Sequence, residues 1–337
     1  MRNELILLLS FFILFSLLVH SFIFRGRYLT IAFFILVFFW GYTKEFLGPS
    51  FPYSFSNITG IDYLLNKAMV IIGWAITFYL SWCISETILI RIGKHKENIF
   101  STLLLSCFVI ASIAYFMESA AANIGWWQWD MRKIGLHPTS IFTTYFFVGT
   151  SLKVIEAWVY FGLIFLFSYF FIFLKPHKYK GWKYIFCAIP FISIWLLKRL
   201  GLFTELFFLI AFLSIFIFSR HTKLVHPQVK IPMVILKTKR IFEYIPVFVL
   251  AFMMLTVTYC LVFIKHMTYP LISLLPALFL LLYAIKKIHQ LAIFLILIPL
   301  AILAKEKMVP LLCLMFLIAG LQYEKLLHLF KKIRQSR

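Results

Sequence analysis

The sequence predicts an all-α protein: a polytopic transmembrane helical bundle of about eleven spans, N-terminus outside and C-terminus in the cytoplasm. Three observations predict it. The 337 residues are 63% hydrophobic and 13% charged, whereas soluble domains carry about 25% charged residues. The apolar residues form long continuous runs, as helices crossing a hydrocarbon core of about 30 Å require, and do not alternate as barrel strands do. The basic residues are sorted unevenly between alternate connecting segments.

The runs place spans at 4–24, 28–43, 64–90, 99–121, 154–174, 184–197, 200–219, 242–264, 267–285, 289–304 and 308–323. Met1–Phe24 reads as an uncleaved first span: it carries Glu4 early and runs into Phe24-Arg25-Gly26 without a small-residue cleavage site. The sixth run is short and contains Pro190. Residues 140–150, SIFTTYFFVGT, read either as a re-entrant or interfacial piece or as an extension of the fifth span. Numbering the connecting segments from the first, the odd ones and the C-terminal tail hold 22 of the 33 Lys+Arg; the N-terminus and the even ones hold 9, with Lys67 and Lys153 assigned to the spans. This asymmetry sets the orientation, and losing the sixth span would reverse everything after it. Residues 1–183 form an N-terminal membrane region with the Glu and aromatic motifs, and 184–337 a C-terminal membrane region that reads as scaffold.

The net charge of +21 fits cytoplasmic segments facing anionic membrane lipid rather than nucleic acid. Cys83, Cys107, Cys187, Cys260 and Cys313 lie in apolar runs and make no CxxC or metal spacing. There is no DDxxD, P-loop, GxGxxG, HxxxH, HExxH or G-x-S-x-G motif, so no metal or cofactor is expected. Polyprenyl transferase, di-iron desaturase and zinc protease chemistries are disfavoured on the same ground.

The orientation puts two segments on one side, 44–63 (KEFLGPSFPYSFSNITGIDY) and 122–139 (ANIGWWQWDMRKIGLHPT). They echo each other. Glu45, Gly60 and Trp74 follow one span, while Glu118, Gly135 and Phe146-Phe147 follow another. Such a pair can pack around one cavity.

A carboxylate at the centre of a span costs roughly 2.5–3.5 kcal/mol, so it faces protein or water and is a functional suspect. Glu86 either pairs with Arg91 or Lys94 or has a functional role. Glu156 is three residues after Lys153, an ion-pair spacing on one helix face, with Trp158 as aromatic belt. Glu205, near Lys198 and Arg199, reads as structural. Glu118 ends an apolar run and precedes the small residues Ser119 to Ala122, which let another helix approach closely. A carboxyl held among apolar groups can act as an acid at neutral pH. Trp126, Trp127 and Trp129 are dense even for an aromatic belt, and ring faces of this kind stabilise cations.

Glu118, Gly125-Trp126-Trp127-Gln128-Trp129, then Gly135 and Pro138 before an apolar run, resemble the carotenoid biosynthesis membrane proteins, among them carotenoid 1,2-hydratase and bisanhydrobacterioruberin hydratase relatives. Glu45-Phe46-Leu47-Gly48, Phe51-Pro52-Tyr53, Gly60-Ile61 and Gly73-Trp74 repeat the pattern less completely. The resemblance covers roughly residues 40–175. Leu136-His137 interrupts the pattern, and Tyr145 to Phe147 stands where a Trp is expected.

The resemblance implies cofactor-free hydration of a terminal double bond in an apolar isoprenoid or carotenoid, in a multi-pass protein of a prokaryotic cytoplasmic membrane. A protonated Glu118 or Glu45 would be the acid. Trp126, Trp127 or Trp129 would stabilise the tertiary cation. Asp130 or Asp62 would orient or deprotonate water. Tyr53, Trp74 and Glu156 complete the expected binding set.

Two rival readings stand beside this one. A lipid-linked glycosyltransferase would place Glu45 and Asp62 among basic groups that hold phosphate. A lipid or hydrophobe transporter, or an assembly scaffold, would place a cavity at mid-membrane.

Overall fold

The computed structural model describes residues 3–47, 53–54, 61–91, 99–124, 128–129, 146–147, 150–174, 181–200, 210, 212–215, 217 and 242–259. These residues are helical apart from two short antiparallel ladders. The helices are α1 (Asn3–Tyr42), α2 (Ile61–Arg91), α3 (Ile99–Ile124), α4 (Leu152–Tyr169), α5 (Trp182–Leu200) and α6 (Ile245–Tyr259). The strands are β1 (Tyr53–Ser54), β2 (Gln128–Trp129), β3 (Phe146–Phe147) and β4 (Thr150–Ser151). Among the described residues, three helical stretches are long and apolar enough to cross a membrane: Leu7–Leu47, Tyr63–Ile90 and Val154–Leu174.

The first two predicted spans form one helical stretch, with no separate loop at 25–27. A straight helix of 40 residues would be about 60 Å long, twice the hydrocarbon core. Instead α1 bends at Gly26, whose φ of 79° is a conformation other residues rarely adopt. The bend brings Ser21 Oγ within 2.9 Å of Thr30 Oγ1, although nine residues of straight helix would separate them by about 13 Å. His20 and Phe33, on opposite sides of the bend, both lie against the Tyr79 ring.

The second half of α1 lies antiparallel to α2, with contacts running Gly41–Ile71, Phe34–Tyr79 and Arg25–Glu86. Successive helices α1 to α4 pack in order, α5 joins α4, and α6 rests on α1, α2 and α3. The centre is aromatic: Trp40, Phe78, Tyr79, Trp82, Phe161, Phe165 and Tyr169 are fully buried. Helices α2 and α3 meet through hydroxyls, with Ser106 Oγ 3.2 Å from Ser85 Oγ, and α4 closes on both through Gly162. A Cβ at Gly162 would run into Ile110 and approach Phe78. The best-apolar window of Tyr63–Ile90 is 83% buried, that of Leu7–Leu47 only 28%. Helix α1 thus turns its Phe11, Phe15, Ile35 and Phe39 outward, while α2 is the hub.

Other expectations meet the structure unevenly. The sixth run is a helix despite Pro190, whose carbonyl accepts Trp40 Nε1–H at 2.9 Å. Phe146–Phe147 pairs with Thr150–Ser151 as a small hairpin, so this part of 140–150 does not lengthen the following helix, which starts at Leu152. The span at 242–264 is represented by α6. Only a few helical residues of 200–219 are described, and the spans at 267–285, 289–304 and 308–323 lie outside the described residues.

Candidate functional site

The apolar stretch of α1 ends in a π-helical turn, Thr43–Leu47. A π turn carries more residues per turn than an α turn, so consecutive side chains are separated by less rotation. Lys44 and Glu45 consequently both point inward and are buried. They form an ion pair. Helix α2 presents Lys67 and Trp74 to this turn, on one helical face by spacing, with Ile71 between them against Gly41. Lys67 Nζ donates to the Glu45 main-chain carbonyl, one of the acceptors a helix end leaves open. Trp74 Nε1 donates to Glu45 Oε1 at 3.2 Å, and Lys44 Nζ lies 4.8 Å from the centroid of the Trp74 ring. Lysine, glutamate and indole close a three-membered cycle, each touching the other two.

Glu118, on α3, is 3% exposed. Trp158 Nε1, from the second turn of α4, donates to its Oε1 at 2.6 Å. The rings of Trp158 and Trp74 stack with centroids 3.5 Å apart and planes at 25°. Two glutamates from two different helix ends therefore hold the N–H groups of one stacked indole pair. The segments that follow them are joined as well: β1 pairs with β2 in the register Tyr53↔Trp129 and Ser54↔Gln128.

This arrangement sorts the expected site residues. Glu45, Glu118 and Trp74 come together, and the backbones of Tyr53 and Trp129 meet across the ladder. Asp62 lies in the first turn of α2. Glu156 lies on α4, partly buried, two residues before Trp158. Trp126, Trp127 and Asp130 lie outside the described residues.

Trp158 plays for Glu118 the part that Trp74 plays for Glu45. The chain before α4 is used in the β3–β4 hairpin, and it is a ring inside α4 that faces Glu118. Trp158 is thus a glutamate partner and not merely a belt residue. Lys44 and Lys67 are neighbours of Glu45 that the sequence reading missed. Their signal was present in two lysines bracketing the first glutamate, one inside an apolar run.

A second cluster lies at the bend. Arg25 pairs with Glu86, because the Gly26 turn carries the guanidinium across to α2, while Lys94 and the side chain of Arg91 lie outside the described residues. Trp82 Nε1 donates to Glu86 Oε1 at 2.7 Å, and Arg25 Cζ lies 4.0 Å from the Trp82 ring centroid. His20 Nδ1 is 2.8 Å from the Tyr79 hydroxyl, and Arg25 Nη2 is 3.7 Å from Cys83 Sγ. Aromatic contacts link the clusters, from Trp158 through Trp74, Trp40 and Phe165 to Phe33 and Trp82. No protein-family model, curated protein or solved structure matches this chain.

Proposed function

We propose that this chain is a multi-pass membrane enzyme of isoprenoid or carotenoid lipid metabolism, in a prokaryotic cytoplasmic membrane, that hydrates a terminal isoprenoid double bond without a cofactor. The observation that carries the reading is the pair of buried glutamates, Glu45 and Glu118, each bonded to one ring of the Trp74–Trp158 stack.

The chemistry needs a carboxylic acid, a cation-stabilising surface and a base. In this reading one carboxyl delivers its proton to the less substituted alkene carbon, leaving a tertiary cation. Water adds to that cation and gives up a proton to the second carboxylate, so the net change is addition of one water across the double bond. Indole faces favour positive charge. The site already uses such faces to hold ammonium groups: Lys44 over Trp74, and Lys67 at 4.9 Å from Phe46 and 5.1 Å from Tyr63. The N–H bonds from Trp74 and Trp158 fix the carboxyls in orientation.

The test is expression in a carotenoid-producing host with pigment analysis. Wild type should yield a hydroxylated pigment, and Glu118→Gln should abolish it at equal protein level. Unchanged pigments with well-expressed wild type would refute the reading.

The glycosyltransferase reading keeps one supporting observation, the two lysines at Glu45. It predicts that Glu45→Gln stops sugar transfer from a polyprenyl-linked donor while Glu118→Gln does not.

A further inference from the structure

Lys67 has a role that the hydration reading does not use. Its ammonium is partly buried at the outer end of α2, and its three hydrogens have a single acceptor among the described residues, the Glu45 carbonyl. The rings of Phe46 and Tyr63 hold the charge in place but bring no counter-charge. The ion pairs among the described residues are Arg25–Glu86 and Lys44–Glu45, and Lys67 belongs to neither. The Glu45 carboxylate is engaged by Lys44 and by the Trp74 N–H. Among the described residues, Lys67 thus brings an ammonium group to this end with a main-chain acceptor and no carboxylate paired to it.

The surroundings say what kind of anion fits. Tyr42, Leu47, Tyr63 and Leu64, at the same ends of α1 and α2, are 46%, 58%, 38% and 53% exposed. An anchored ammonium bordered by exposed apolar side chains matches an amphiphile: a phosphate beside an acyl or prenyl chain. A freely snorkelling lysine would not be tied to a main-chain carbonyl and covered by two rings.

We propose that Lys67 binds the phosphate of an anionic phospholipid at this end of the bundle, with the lipid chain along Tyr42, Leu47, Tyr63 and Leu64. This does not rest on the hydration reading.

The experiment measures thermal unfolding of the purified full chain in detergent, titrated separately with phosphatidylglycerol, phosphatidylcholine and inorganic phosphate. Wild type should be stabilised saturably by phosphatidylglycerol and little by the other two. Lys67→Gln should raise the half-saturating phosphatidylglycerol concentration by about fivefold, the order expected for one basic group at an anionic surface. Lys67→Arg should keep most of the response, and it serves as the folded control if Lys67→Gln is poorly behaved. Equal stabilisation by phosphatidylcholine, or an unchanged titration in Lys67→Gln, would overturn the proposal. Equal stabilisation by inorganic phosphate would overturn the lipid as the source.

Discussion

The clusters at the two ends of the α1–α2 pair are built alike and differ in one respect. At the bend, Arg25, Glu86 and Trp82 close a cycle of ion pair, indole N–H bond and cation–ring contact. At the other end, Lys44, Glu45 and Trp74 close the same cycle. Trp82 is surrounded by Phe33, Tyr79, Tyr169 and Phe170, so that cycle is sealed in the core. Trp74 stacks instead on Trp158, which brings a second glutamate. The same local physics therefore serves as a lock at one end and as a candidate reaction centre at the other. What distinguishes them is the next ring.

If the bend cluster is a lock, Arg25→Ala should have the largest effect on stability. It takes the guanidinium away from a buried carboxylate, at a cost of about 3–5 kcal/mol, visible as a much lower unfolding temperature in detergent. Replacing both partners, Arg25→Leu with Glu86→Leu, should recover most of that loss. A single substitution without effect would show that the bend does not depend on the pair.

Gly162→Ala tests whether the helices must approach closely for the two ends to coexist. The added methyl meets Ile110, and overpacking of this kind costs about 1–3 kcal/mol. Shortening the obstacle with Ile110→Val should return part of the stability.

Trp158→Phe sharpens the contrast at the candidate centre. It retains a stacking ring but removes the N–H that Glu118 accepts, costing about 1–3 kcal/mol. Hydration, assayed by product pigment, should fall more than the amount of folded protein does. Parallel losses would make Trp158 structural.

The smallest effect on stability belongs to Tyr53→Cys with Trp129→Cys. Directly opposed antiparallel residues have Cα atoms about 4.5–5.5 Å apart, within disulfide reach. Mild oxidation should link them, read as a mobility shift after cleavage between the two segments. Absence of the bond would separate the loops that the ladder joins.

Much of the helical layout was legible because hydropathy and span length are local properties. The runs at 64–90, 99–121 and 154–174 reappear as helices α2, α3 and α4 with the π turn Phe170–Leu174. Even the helix containing Pro190 was anticipated. Glu45 and Glu118 could be singled out because a carboxylate after an apolar run is costly unless something holds it, and Trp74 through its place in the echo of the two segments. The partners were harder. Glu86 also pairs with a residue sixty-one positions away that local spacing does not suggest, because a single glycine redirects the chain. Trp158 was hidden by belt statistics. An interfacial tryptophan and a tryptophan that holds a carboxylate look the same until the facing helix is known.

The π turn at the end of α1 makes the candidate centre depend on counting. Relative to an α-helix, such a turn contains one surplus residue. Removing a single residue between Thr43 and Leu47 would restore regular winding and swing Glu45 away from Trp74, with composition, hydropathy and charge almost untouched. A chain differing by that one deletion would pass every compositional test for the same fold while lacking half of the two-glutamate arrangement.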